Sequence, residues 1–190
     1  MELFLDDISH CLKVLEEGGL ILYPTDTVWG IGCDATNEAA VAKIYALKQR
    51  VDTKKMIVLV ASERNILHYV TSPDLEVFNY LASATKPTTV IYDGVIGMAE
   101  NILGEDRSVA IRICGETFCK HLLKRFQKPI VSTSANISGQ ATPSFFPEID
   151  KAIIDGVDYV VKYRQDDNTP RTPSAVVKWE KNGNLTVIRA

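Results

Sequence analysis

Pro129-Ile130-Val131-Ser132-Thr133-Ser134-Ala135-Asn136-Ile137-Ser138-Gly139 is the stretch on which the fold turns. Pro129 can begin a strand because its missing N–H is not needed there. Ile130 and Val131 are β-branched and suit a central sheet position, and Gly139 lets the backbone turn back sharply. The segment reads as a buried strand that delivers hydroxyls and one amide to a loop. Those side chains donate and accept hydrogen bonds without adding charge, as a loop that holds polar ligand groups requires. By composition alone the same residues also describe an ordinary Ser/Asn-rich turn, so the rest of the chain has to decide.

Upstream of this strand, Phe118, Cys119, Leu122, Leu123 and Phe126 recur at helical spacing and form the inner face of a helix that ends at Pro129. Before it, residues 108–113 alternate as a strand carrying Arg112, residues 88–92 are strongly β-forming, and 56–60 form another apolar strand. Ser72-Pro73-Asp74 predicts a helix start with Leu75, Phe78, Leu81 and Ala82 inward. A further helix opens near Thr36 or Asn37 with the stripe Val41, Ile44 and Tyr45, and Lys48 lies one heptad past Val41, at the end of the buried face. The first helix carries Ile8, Cys11, Leu12 and Leu15, with Asp6 or Asp7 as N-cap and Gly18-Gly19 as its stop. Residues 20–23 are a buried strand that Pro24 ends, feeding the polar loop Thr25-Asp26-Thr27.

Downstream come a short helix over 148–154, a strand over 159–162, a polar loop over 164–173, and a hairpin. The hairpin joins 175–179 to 185–188 across Asn182-Gly183, a pair that favours the positive-φ tight turn. Strands and helices alternate early and a hairpin comes late, so the expected class is α/β with a mixed sheet, built as one domain over 1–190.

With 46% apolar and 24% charged residues the chain has the composition of an ordinary soluble protein, and no apolar run reaches bilayer length. Glu2, Asp6 and Asp7 stand where a secretory signal would be basic, so a cytoplasmic location is expected, with no membrane partner. Cys11, Cys33, Cys114 and Cys119 show no Cys-x-x-Cys spacing and are expected reduced and mostly buried. A net charge of −3 argues against a protein that coats nucleic acid through a broad basic face, while leaving room for a local cationic cavity.

Several chemistries lack their residues. Gly30-Ile31-Gly32-Cys33-Asp34-Ala35 fits a dinucleotide fingerprint on paper, but a polar loop separates it from the preceding strand. There is no Gly-x-x-x-x-Gly-Lys loop and no Gly-x-Ser-x-Gly elbow. His10, His68 and His121 are scattered without ligand spacing, so no protein metal site is expected. What remains is a set of cations and hydroxyls at strand and helix ends: Thr27, Lys48, Arg50, Lys54, Arg112, Ser132, Ser134, Asn136, Ser174 and Arg189. If the sheet brings those ends to one side, they make a concave site for anions, suited to a phosphate-bearing substrate.

The run Tyr23-Pro24-Thr25-Asp26-Thr27-Val28-Trp29-Gly30-Ile31-Gly32-Cys33-Asp34-Ala35 is followed by Lys48-Gln49-Arg50, by 108–112, and by Ser134-Ala135-Asn136-Ile137-Ser138-Gly139. In order and approximate spacing these segments resemble the YrdC family, whose members are threonylcarbamoyl-AMP synthases. The resemblance implies an open twisted mixed α/β sheet with flanking helices around a large cationic cavity. It also implies a reaction: L-threonine, bicarbonate or CO2, and ATP give threonylcarbamoyl-AMP and pyrophosphate, for threonylcarbamoyladenosine modification of tRNA. By the same resemblance Lys48 and Arg50 would grip the triphosphate as the catalytic pair, with Lys54 assisting. Ser134, Asn136, Thr142 and Arg189 would face the nucleotide, and Thr27, Arg112, Ser132 and Ser174 would hold threonine. Mg2+ would arrive with ATP, and the implied partners extend to downstream threonylcarbamoyl-transferase proteins and to tRNA or double-stranded RNA. The chain departs from the family pattern at Leu59, where a histidine is common, and at Ser174-Ala175-Val176, where Ser-Thr-Val is usual. The alternatives are an RNA-binding module of the same fold without synthase activity, and a carbamoyl-phosphate-dependent or ADP-forming relative with other substrates.

Overall fold

The computed structural model describes residues 4–50, 56–180 and 183–190. Among them the elements run α1 (Leu5–Glu16), β1 (Ile21–Tyr23), β2 (Gly30–Gly32), α2 (Glu38–Leu47), β3 (Ile57–Val60), α3 (Glu63–Tyr69), α4 (Glu76–Ser83) and β4 (Thr88–Tyr92). They continue with β5 (Val109–Ile113), α5 (Thr117–Phe126), β6 (Ile130–Ser134), α6 (Lys151–Asp155), β7 (Tyr159–Val160), β8 (Ala175–Trp179) and β9 (Leu185–Arg189).

The strands form one open sheet in the order β7-β1-β2-β6-β3-β5-β4-β8-β9. The pairs β1/β7, β3/β5 and β4/β8 are parallel; β1/β2, β2/β6, β3/β6, β4/β5 and β8/β9 are antiparallel, so the sheet is mixed as expected. The opening stretch of sequence holds it together. Val131 and Ile130 of β6 pair with Val58 and Leu59 of β3, whereas Thr133 and Ser134 pair with Ile31 and Gly30 of β2. Its apolar half is buried in the core, and its hydroxyl half runs out between two neighbours.

Helix α5 buries all five residues of the expected face, and Asn37 caps α2 by accepting from Ala40 N at 3.1 Å. α1 packs on α5 and β1, and α3 and α5 pack on β3, which covers the sheet with helices. At the hairpin, Gly183 takes φ +79°, consistent with the expected turn; Asn182 lies outside the described residues.

Some expectations are corrected. The N-cap of α1 is Phe4, not Asp6 or Asp7. Asp7 is buried and accepts from the Tyr159 hydroxyl (2.7 Å), Lys162 N (3.0 Å) and Tyr163 N (2.9 Å), so it fastens the chain around β7 to the first helix. α4 begins at Glu76 and turns Val77 to the core, leaving Leu75 at 62% exposure. The Pro73 signal marks the turn before the helix, not its first residue. β2 and α3 are elements that the sequence reading did not separate from their surroundings.

Candidate active site

The inner strands end at a cavity of about 350 Å³. Ser132 and Ser134, two apart on β6, share one face of their strand. Both line the cavity, as do Thr27 from the loop after β1 and Thr142 from the loop after β6. Ser174 and Arg189 arrive from the late hairpin, Arg112 from β5 and Arg50 from the end of α2. Residues spread over the whole chain thus meet at one concave surface. A β-bulge at Val176/Val177 interrupts the register opposite Arg189, which re-aims that end of the edge strand.

The charges are arranged for anions. Three guanidiniums line the cavity. Partial burial lowers the pKa of Arg50, and partial burial followed by the nearby charge of Arg112 lowers that of Arg189. Arg112 is only 3% exposed. Its Nη2 donates to Thr27 Oγ1 at 3.2 Å and lies 3.1 Å from Asp26 Oδ1, while its Nε has no hydrogen-bond partner. Asp26 is a residue that the sequence reading passed over. Its other oxygen accepts from Gly115 N at 3.1 Å, so it bridges the β1 loop to the start of α5 while partly balancing Arg112.

The threonine pair beside it is built from the bottom up. Thr25 Oγ1 lies 3.0 Å from Thr27 Oγ1, accepts from Thr27 N at 3.0 Å and donates to Val28 O at 2.8 Å, which fixes the turn that presents Thr27. Arg164 of the late polar loop donates to Thr25 O at 3.1 Å and ties that loop to the same turn. Ser174 is buried, and its Oγ lies 2.8 Å from Thr89 Oγ1, a second contact missed in the sequence because Thr89 reads simply as a strand former.

Lys48 is placed differently from the expectation. It is 1% exposed and does not line the cavity. Its Nζ donates to the main-chain carbonyls of Ser134 and Asn136, the latter at 2.6 Å, and its own carbonyl accepts from Ser138 N at 2.9 Å. Burial, and then the charge of Arg50, push its pKa down to about 8. The ammonium is occupied in shaping the loop from below, because carbonyl dipoles at that depth are the partners that make its charge tolerable. Asn136 is likewise a brace and not a lining residue: its Nδ2 donates to Ile137 O (3.0 Å) and Gln140 O (2.9 Å). Lys54 lies outside the described residues.

Among the described residues no cluster of His, Cys, Asp or Glu is suited to a metal, and no helix is long and apolar enough to cross a membrane. The four cysteines are free and buried. The fold and the site together define a class: an open mixed α/β sheet whose strand ends and late hairpin meet at an arginine- and hydroxyl-lined cavity.

Comparison with known proteins narrows that class. A sequence model of the Sua5/yciO/yrdC family, described as telomere recombination, matches residues 13–190. A threonylcarbamoyl-AMP synthase of Pseudoalteromonas translucida is 30% identical over 181 residues, 94% of this chain and 95% of that protein. A threonylcarbamoyl-AMP synthase of Psychromonas ingrahamii is 36% identical over 70% of this chain and 71% of its own. Among solved structures, P. abyssi Sua5 complexed with L-threonine superposes with a TM-score of 0.84 at 22% identity; 96% of this chain is covered but only 53% of the Sua5 chain. E. coli YciO superposes with a TM-score of 0.82 at 20% identity, covering 97% of this chain and 88% of that one. The chain belongs to the Sua5/yciO/yrdC family.

Proposed function

We propose that this protein is a threonylcarbamoyl-AMP synthase, a nucleotidyltransferase that converts L-threonine, bicarbonate or CO2, and ATP to threonylcarbamoyl-AMP and pyrophosphate. A relative that it matches over 95% of that protein's length carries that name. The observation that carries the reading is the convergence of Arg50, Arg112 and Arg189 with Ser132, Ser134 and Ser174 on one cavity. The reaction needs no covalent enzyme nucleophile. The threonine amine captures the CO2-derived carbon, the resulting carbamate attacks the α-phosphorus, and pyrophosphate leaves. Positioning and charge neutralisation do most of the work.

In this site Arg50 holds phosphate oxygens and steadies the charge that grows on pyrophosphate. Arg112 takes the amino-acid carboxylate, for which a planar fork is the natural partner, with Thr27 and Ser132 beside it. Ser134 and Thr142 face the nucleotide. Lys48 and Asn136 act one layer down, as positioning residues that shape the Ser134–Asn136 turn. The cavity's donors are guanidiniums and hydroxyls, which give a metal no anionic ligand, so Mg2+ fits here as part of the ATP complex, held by phosphate oxygens and water. The product would pass to a threonylcarbamoyl-transferase acting on tRNA in the cytoplasm.

The test is pyrophosphate release by the purified protein from ATP with Mg2+ and bicarbonate, with and without L-threonine, the nucleotide product being weighed by mass spectrometry. Threonine-dependent release with a threonylcarbamoyl-AMP mass is expected. Release that ignores threonine would point to another acceptor, and RNA binding without release would favour the binding-module alternative.

A further inference from the structure

We propose that Arg164, clasped by Asp167, is a positioning residue for threonine: it holds the Thr25–Thr27 turn that presents the Thr27 hydroxyl, without touching substrate itself. The assignment rests on the synthase reading for its substrate and adds to it a residue from the polar loop that precedes β8.

Arg164 has φ +66°, in the left-handed region that glycine fills freely and that a residue with a side chain keeps only when its surroundings hold it there. What holds it is its own side chain, which is 14% exposed and reaches three segments of the chain. Nη1 donates to Thr25 O at 3.1 Å and stands 3.7 Å from Glu116 Oε1, and Nε donates to Asp167 Oδ2 at 2.9 Å. Asp167 is fixed in turn. Its N–H donates to Arg164 O at 3.2 Å, its Oδ1 accepts from Thr169 N at 2.9 Å, and its Oδ2 also accepts from Arg171 Nη2 at 3.3 Å. Charge-assisted bonds thus orient the guanidinium, and the unusual backbone aims it at the Thr25 carbonyl.

That carbonyl matters because of what its turn carries. Thr25 Oγ1 accepts from Thr27 N and donates to Val28 O, Asp26 Oδ2 accepts from Gly115 N ahead of α5, and Thr27 Oγ1 accepts from Arg112 Nη2. Side chains of the turn therefore fix it from within, while Arg164 grips its backbone from outside. Glu116, beside the same guanidinium, caps α5 by accepting from Cys119 N at 2.8 Å, so Arg164 also ties the turn to the start of that helix. Arg164 itself stands back from the ligand space. It does not line the 350 Å³ cavity, and the hollow it shares with Thr25, Thr27, Asp167 and Arg171 is about 10 Å³, room for one water at most. Its influence on the reaction runs through the turn.

The experiment measures steady-state pyrophosphate release against threonine and against ATP for the wild type, Arg164→Gly, Arg164→Lys and Asp167→Asn. Glycine suits the φ of position 164, so Arg164→Gly removes the side chain while relieving the backbone. Its threonine KM should rise about tenfold, with the ATP KM within about twofold of wild type. Arg164→Lys keeps a cation that can reach the Thr25 carbonyl and should recover part of the loss. Asp167→Asn should raise the threonine KM in the same direction, which keeps the test valid if the variants at 164 fold poorly. Amide hydrogen exchange followed by NMR reads the turn without catalysis: in Arg164→Gly the Thr27 N–H, now bonded to Thr25 Oγ1, should exchange about tenfold faster, while amides within β5 and β6 keep their rates. Equal rises in both KM values, an unchanged threonine KM, or unaltered Thr27 exchange would overturn the assignment. Absence of threonine-dependent release by the wild type itself would instead remove the synthase reading and the threonine role with it, an outcome that the comparison among variants cannot imitate.

Discussion

Lys48 shows how a residue can occupy an expected position and meet partners there that spacing does not announce. From spacing it belongs at the end of a buried helix face; in the structure its ammonium lies under two carbonyls and carries a pKa near 8. The folded-state pKa is below the unfolded value of 10.5, so from pH 8 to 10.5 the unfolded chain holds a proton that the native one has released. Stability supplied through this group therefore rises with pH across that window, and the penalty for burying the charge is fully present below it. Urea midpoints measured from pH 7 to 10 should climb in the wild type relative to Lys48→Met, which has no such proton; parallel curves would mean that the group does not titrate there. Arg112 differs in kind, since it lines the cavity. Arg112→Ala should raise the threonine KM by about 10- to 100-fold, the loss of a charge-assisted hydrogen bond or two, with the ATP KM nearly unchanged. Steady-state kinetics in each substrate separates the two effects. The need for a basic residue at 112 was readable from a charge inside an alternating strand. Its partner Asp26 was not, because the contact joins positions 86 residues apart and no local pattern encodes it.

At the level of elements, the long periodic segments were legible and the short glycine-rich one was not. The five-residue apolar face of α5 and the β-branched runs of β4, β5 and β6 predict their own structure, since each has enough residues to establish a period. β2 is Gly-Ile-Gly, three residues of which two have no side chain to show a face, and it is a strand only because β1 and β6 flank it. The glycine there is a packing requirement. A Cβ on Gly32 would stand 2.6 Å from Tyr23 Cε1 and 2.7 Å from Val131 O, inside a fully buried three-strand contact with no room to yield. Gly32→Ala should therefore destabilise the protein by about 1–3 kcal/mol, the usual cost of overpacking a core, as read from the urea midpoint at constant m. A variant as stable as wild type would show that β1 and β6 can separate to admit the methyl. The cavity was partly legible for the same reason: hydroxyls and cations at the ends of recognisable strands mark it, whereas Thr89 and the carbonyl bed of Lys48 are tertiary features that only pairing reveals.

The whole molecule is one sheet from β7 to β9, and the cavity draws on both halves: Thr27 and Trp29 flank β2 toward one edge, while Ser174 and Arg189 come from the hairpin at the other. A core that is continuous across such a sheet unfolds as a unit, whereas two subdomains meeting at β6 would part in two steps. The chain carries reporters for the two cases. Trp29 packs against Phe146 beside the cavity with ring centroids 4.9 Å apart and planes tilted by 52°, and Trp179 ends β8, donating from its Nε1 to Asp74 at 2.9 Å near the far edge. In Trp29→Phe only Trp179 emits, and in Trp179→Phe only Trp29 does. Either substitution is free to shift overall stability; the diagnostic quantity is agreement within each variant. Urea midpoints from fluorescence and from far-ultraviolet circular dichroism should coincide in both variants. Adding ATP with threonine should move the fluorescence midpoint upward in each, because a ligand bound across the cavity stabilises whatever unfolds with it. A fluorescence transition at either end that precedes the loss of secondary structure would divide the chain into two units. A ligand shift confined to the Trp29 reporter would show that the hairpin joins the site without sharing its stability.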